Sequence, residues 1–240
     1  MSSRYIPQPL KRDVRKEAHF GCVLCGSPII EFHHIQPFHQ VKEHTKENLV
    51  PLCPEHHHRA DCSEIPVSKI ESAKNNPFNK NKEFISKDFF LSSYTDLRMR
   101  VGSNVYIRTP KILVIDDFPL ITVTADEEDN ALLNAEFYNS SNVLLAEIID
   151  NEWRAFKNPE FWDISYSPGH LKINRNKGDI FLELKLNNGD VDLRGEMYFN
   201  GYKINLLPDK TVLGDSSVLS NCTFQDCGAG LHISTGFFSF

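Results

Sequence analysis

Along residues 179–206 apolar and polar side chains alternate with a period of two. Ile180, Leu182, Leu184 and Leu186 interleave with Phe181, Glu183 and Lys185. After Asn188-Gly189, Val191, Leu193, Gly195, Met197 and Phe199 interleave with Asp192, Arg194, Glu196 and Tyr198, and after Asn200-Gly201 come Tyr202, Ile204 and Leu206. Such alternation marks strands with one buried face. Asn-Gly suits a two-residue type I′ turn, in which both central residues need positive φ. Leu186 then opposes Val191 and Phe199 opposes Tyr202, which keeps one apolar face across three strands. Further strand candidates are 105–108, 112–115, 120–124, 132–138, 143–149 and 170–173, with a turn at 139–142. Short strands at hairpin spacing predict a mainly antiparallel β-sandwich or barrel-like domain over residues 101–240.

Before residue 76 the period changes. Residues 11–18 read as a helix, 21–28 as a turn and 29–35 as a strand. Pro54 opens a short helix through residue 60, since proline lacks only an N–H that has no partner at the first helical position. Residues 67–74 read as a second short helix. The stretch KNNPFNKNK (74–82) is polar and proline-interrupted, and 83–99 is ambiguous, so 76–100 reads as a connecting segment between a domain at 1–75 and the β-rich domain. The class is α+β.

Composition narrows the function. The 240 residues are 40% hydrophobic with a net charge of −6, which excludes wholesale disorder and a uniformly basic nucleic-acid binder. Residues 1–75 hold ten Lys/Arg and nine Asp/Glu, leaving 16 basic and 23 acidic groups to the remainder. With no long apolar run, no membrane span is expected. Residues 1–10 contain Arg4 but no apolar stretch, so no secretory signal is expected and a cytoplasmic protein follows. Eight of the ten histidines lie between His19 and His58. Six cysteines in such a chain read better as metal ligands than as a disulfide framework.

Cys22-x2-Cys25 and Cys53-x2-His56 are two half-knuckles. Each supplies one edge of a tetrahedron of thiolate and imidazole ligands, a set that suits zinc better than magnesium or calcium. Between them Glu31-Phe32-His33-His34-Ile35-Gln36-Pro37 carries two adjacent histidines, which a strand points to opposite faces unless it is bent. On the helix opened by Pro54, His57 is turned about 100° from His56. His56 can close the zinc site while His57 points into a neighbouring one.

These residues, CVLCG, FHHIQPF and NLVPLCPEHH in that order, resemble an HNH endonuclease of the zinc-stapled, McrA-like kind with a ββα-metal fold, over about residues 10–75. The resemblance implies structural Zn²⁺ on Cys22, Cys25, Cys53 and His56. It implies His34 as the general base, His33 and His57 as ligands of a catalytic Mg²⁺ or Mn²⁺, and Asn48 as the brace between hairpin and helix. It also implies DNA as substrate, with RNA less favoured and no membrane. Two positions depart from the pattern. His56 stands where many members have a fourth cysteine, and Asp61 stands where some carry another histidine. Asp61 could bind Mg²⁺ or Mn²⁺ through oxygen but reads rather as a solvated charge, and His58 competes with His57 in register.

The β-rich domain would recognise a target or carry a small-molecule or protein regulator, as in restriction or anti-phage defence nucleases. One such site cuts one strand, so duplex cleavage predicts a homodimer or two successive nicks. The alternative is a non-catalytic zinc-stabilised nucleic-acid-binding module. Other features read plainly. His39 and His44 are surface or phosphate-contacting residues, and Cys62 is a free thiol. Cys222 and Cys227, with His232, are ordinary core thiols and a histidine rather than a second metal site. Lys11, Arg12, Arg15 and Lys16 divide evenly between DNA-backbone contacts and a solvated face paired with Asp13 and Glu17. Trp153 and Trp162 read as core anchors rather than base-stacking platforms.

Overall fold

The computed structural model describes residues 4–235. The N-terminal part comprises helix α1 (Gln8–Glu17), strand β1 (Glu31–His34), a short helix α2 (Phe38–Val41), strand β2 (Leu49–Leu52), helix α3 (Pro54–Asp61) and helix α4 (Val67–Asn75). Strands β1 and β2 pair antiparallel, with His33 opposite Val50 and His34 opposite Leu49. All four residues of β2 are buried. They pack with Cys22, Val23, Cys53 and, from α4, Ile70 in a small core of their own. Pro54 occupies the first turn of α3, as its missing N–H allows.

The remainder is α+β's larger half, a mainly antiparallel, barrel-like sheet system of seventeen strands among the described residues. One ribbon runs in space through Phe84–Asp88, Glu152–Phe156, Leu144–Ile149, Ala131–Tyr138, Phe118–Ala125 and Lys111–Ile115. A second is the meander from Asp163–Ser167 to Ser217–Leu219. Strand Asp190–Phe199 joins them, touching Ala131–Tyr138 at Tyr198 and running parallel to Arg98–Val101. It changes neighbours at Gly195, where a Cβ would lie 2.2 Å from the Phe181 carbonyl oxygen, so the crossing of strands needs glycine there.

The hairpin register follows the alternation. Leu186 opposes Val191 and Phe199 opposes Tyr202. Asn188, Gly189, Asn200 and Gly201 all have positive φ, the requirement of the type I′ turn. The polar face of the first strand does not follow it. Phe181, Leu182, Glu183 and Leu184 are all buried, because both faces of that strand are covered. Glu183 is held by Arg194, by His170 at 2.8 Å and by Lys185 at 3.4 Å. Burial raises its carboxyl, but the hydrogen bonds with Arg194 and His170 and the charges of Arg194 and Lys185 outweigh burial and leave it at about 2. Trp153 is 1% exposed and anchors the main core, whereas Trp162 lies beneath the Arg12 guanidinium at 4.2 Å.

Residues 76–100, read from composition as a connecting segment, add strand Phe84–Asp88 to the large sheet and clasp the first knuckle. Asn79 Nδ2 donates to His19 O at 3.3 Å and to Gly26 O at 3.0 Å. Gly26 has φ of +79°, and a Cβ there would meet Asn79 Oδ1 at 2.3 Å. Lys157 Nζ donates to the carbonyls of Asn79 and Lys80. Ile29 forms a parallel bridge to Tyr166. Arg15 reaches Asp163 through two hydrogen bonds of 3.0 and 2.6 Å, with side chains 12% and 10% exposed. Neither reading of the α1 cations holds for Arg15, which is an anchor between the two parts. Arg12 pairs with Asp13, and Glu17 pairs with Lys46 from the loop before β2. No helix among the described residues is long and apolar enough to cross a membrane.

Removing one partner of such a buried pair leaves the other charge without compensation. Asp163→Ala should therefore lower the unfolding free energy by about 3 kcal/mol. The Arg15→Ala/Asp163→Ala double variant should lose less than the two single losses together. Urea denaturation measures both, and strictly additive losses would show that the pair is not coupled.

Candidate metal and catalytic site

The two half-knuckles meet. The first is a tight turn closed by Cys22 N–H to Ser27 O and Gly26 N–H to Cys22 O, both at 2.8 Å. The second is the start of α3, with Cys53 just ahead of the helix and His56 in its first turn. Cys53 Sγ lies 3.2 Å from His56 Nδ1, Cys22 Sγ lies 3.4 Å from the same nitrogen, and Cys25 and Cys53 sulfurs are 3.8 Å apart. Tetrahedral zinc with its usual bond lengths spaces sulfur and nitrogen ligands about 3.5 to 3.8 Å apart, so the four atoms fit that ion. The electrostatics agree. A hydrogen bond from the Cys25 thiol pulls Cys22 down to about 5, while that contact pushes Cys25 up and burial pushes Cys53 up. Three thiolates can coexist at this spacing only around a cation.

A second cluster sits beside the first. One residue along α3 from His56, His57 faces away from the zinc ligands and toward β1. Its ring lies 5.2 Å from that of His33, edge to face. His33 Nδ1 is 3.3 Å from Asp61 Oδ1, and His57 Nδ1 is 3.7 Å from Asp61 Oδ2 and 2.9 Å from Glu31 Oε2. His33, His57 and Asp61 each offer an atom within 4.8 Å of the others, so they can hold a metal ion. Asp61 is thus part of the cluster and not a merely solvated charge. Its spacing of four from His57 on one helix carries the signal. Glu31 likewise shares the face of His33 two residues along the strand. His58 is exposed and turned toward Cys62 at 3.8 Å.

His34, on the next position of β1, lines the same cleft of about 560 Å³ as His33, His57, Asp61 and Phe38. Its Nε2 is 2.9 Å from His44 Nδ1. The His44 ring stacks on Phe38 at 4.7 Å and 13°. His44, expected on the surface, is therefore a partner of His34. It lies ten residues away across a loop and a four-residue helix, and no local pattern announces that contact. His39 is exposed, as expected. Burial lowers His34, with His44 adding to the effect, and burial also lowers His33, with His57 adding. Both rings are then neutral near pH 7, the state in which imidazole can bind a metal or accept a proton.

Asn48 immediately precedes β2 and closes the mouth of the hairpin. Its side-chain oxygen accepts from Gln36 N–H at 2.7 Å, and its amide donates to Gln36 O at 2.9 Å. Asn48 O accepts from Ile35 N–H at 2.9 Å. The residues after His34 are thus tied to the strand that leads to Cys53. The other cysteines stay apart from this region. Cys222 and Cys227 are half-buried rather than core thiols, each turned to a nearby carbonyl, and His232 pairs with Asp117 at 3.2 Å.

Because metal and fold are coupled in such clusters, Cys53→Ala should reduce bound zinc from about one ion per chain to near zero and lower the melting temperature. His34→Ala should keep its zinc. Elemental analysis of the purified variants distinguishes these outcomes, and full zinc retention by Cys53→Ala would refute the four-ligand site.

Residues 22–60 match the HNH endonuclease family. No curated protein and no solved structure matches the chain. The matched segment begins at the first zinc cysteine, includes the paired histidines, Asn48 and His57, and ends one residue before Asp61. With the four-ligand cluster and the His33/His57/Asp61 cluster on either side of α3, residues 22–60 of this chain are an HNH endonuclease domain.

Proposed function

We propose that this chain is a metal-dependent endonuclease that hydrolyses DNA phosphodiester bonds, with His34 as general base and His33, His57 and Asp61 holding a catalytic Mg²⁺ or Mn²⁺. The observation that carries the reading is the convergence of these four side chains on one cleft beside a zinc-ligand set. A phosphodiester is anionic and resists attack by water, so cleavage needs a proton acceptor and positive charge at the phosphate. His33, His57 and Asp61 would hold a divalent ion, which when bound would supply positive charge at the phosphate. Two imidazoles and a carboxylate form a mixed nitrogen and oxygen donor set, and the carboxylate makes it harder than three imidazoles would be.

Each side chain has a separate task. His34 has Nε2 engaged by His44, which leaves Nδ1 as the nitrogen that takes the proton from water. The stack of His44 on Phe38 fixes the plane of that partner. Glu31, at 2.9 Å from His57, orients the ring. Asn48 braces the turn that follows His34. The large domain, with its excess of acidic groups, suits target selection or control by a ligand or partner better than clamping of DNA. Such an arrangement fits a restriction or defence nuclease, acting as a homodimer or by two successive nicks on duplex DNA.

Plasmid DNA incubated with the purified chain and Mg²⁺ or Mn²⁺ should be nicked or linearised. His34→Ala should slow cleavage by at least about 100-fold while keeping zinc. The absence of cleavage by the unaltered chain with either ion would overturn the reading in favour of a zinc-stabilised nucleic-acid-binding module. Asp61→Asn should raise the metal concentration for half-maximal cleavage by at least about tenfold. An unchanged metal titration would remove Asp61 from the ligand set.

A further inference from the structure

Helix α4 lies beyond the matched segment, yet it reaches the loop that carries Asn48. Ile70 is 1% exposed and seats the helix on the small core. One turn later, on the same face, Lys74 points its ammonium at three backbone carbonyls. It donates to Lys46 O at 2.5 Å, Glu47 O at 2.6 Å and Leu49 O at 2.8 Å. These acceptors bracket Asn48 on both sides. An ammonium has three protons and no acceptor, so this contact uses its whole donor capacity. Burial holds the Lys74 ammonium below the usual lysine range. Three charge-assisted bonds compensate for that burial.

We propose that Lys74 is a positioning residue of the nuclease site, acting through Asn48. Without it the carbonyls of 46, 47 and 49 lose a common donor, and the loop is held less firmly by its remaining bonds to Thr45 and Ile35. Asn48 then no longer presents both its oxygen and its amide to Gln36, and the backbone that follows His34 loses its brace. Thr45 also grips this segment, its Oγ1 accepting from Asn48 N–H at 3.2 Å and its carbonyl from Leu49 N–H at 3.1 Å, but neither contact engages the carbonyls of 46, 47 and 49. The catalytic unit therefore runs from the first zinc cysteine to α4, and a fragment ending at residue 60 is incomplete. The inference rests on the nuclease reading for its effect on rate, but not for its effect on the loop.

Two readouts test it in the full chain. In Lys74→Met, amide hydrogen exchange in residues 45–49 should speed up at least tenfold, while residues 22–25 and 53–57 stay protected and zinc is retained. With plasmid DNA and Mn²⁺, kcat should fall at least tenfold with KM within about twofold, Lys74→Arg should recover part of the loss, and Lys74→Met should add little to the loss in Asn48→Ala. Unchanged exchange at 45–49, or losses in Lys74→Met and Asn48→Ala that multiply in the double variant, would overturn the proposal. If the unaltered chain cuts no DNA, the nuclease reading fails, and the exchange measurement alone still decides whether Lys74 holds the loop.

Discussion

Four ligand atoms, three sulfurs and one nitrogen, bind the turn at residues 22–25 to the start of α3. The small core around them holds few residues, chiefly Val23, Val50, Leu52 and Ile70 with the buried cysteines. A core of that size contributes little hydrophobic stabilisation, so the cross-link through the ligand cluster replaces what a larger core would supply. The position of α3 relative to the hairpin follows from it, and so does the second cluster. His56 faces the zinc ligands, so its neighbour is rotated toward β1. Because β1 is paired with β2, and β2 runs directly into Cys53, His33 arrives opposite that neighbour. The geometry of the second cluster is a by-product of the structural one.

The large sheet system holds this unit by a few specific contacts rather than a broad apolar interface. They are the Arg15–Asp163 pair, the stacking of Arg12 on Trp162, the backbone bridge from Ile29 to Tyr166 and the Asn79 and Lys157 hydrogen bonds to backbone carbonyls. Such contacts are directional, and they fix orientation more than they add burial. They lie on α1 and the first knuckle, which leaves the cleft of His33, His34 and His57 open.

Much of this was legible along the chain. The alternation and the two Asn-Gly turns gave the meander with its register, because strand period and turn geometry are local properties. The ligand spacing gave both half-knuckles, and a 100° step between neighbours on a helix separated His56 from His57. Other parts depended on residues distant in the sequence. Glu183 looked like one of a polar row, yet the side chains of Arg194, Lys185 and His170 converge on it and cover it. Residues 76–100 looked like a connection because they are polar, yet Asn79 is buried against backbone groups that need a donor. His44 had no pattern of its own, and its place beside His34 follows from the path of the loop after α2. Lys74 had no sequence signal of its own, and its place follows from the loop carbonyls that accept from it. Local chemistry specified which residues could bind a metal or turn a hairpin, since those properties reside in a few consecutive positions. The packing of separate segments decided which charged and polar groups were taken out of water, and so which of them acquired partners.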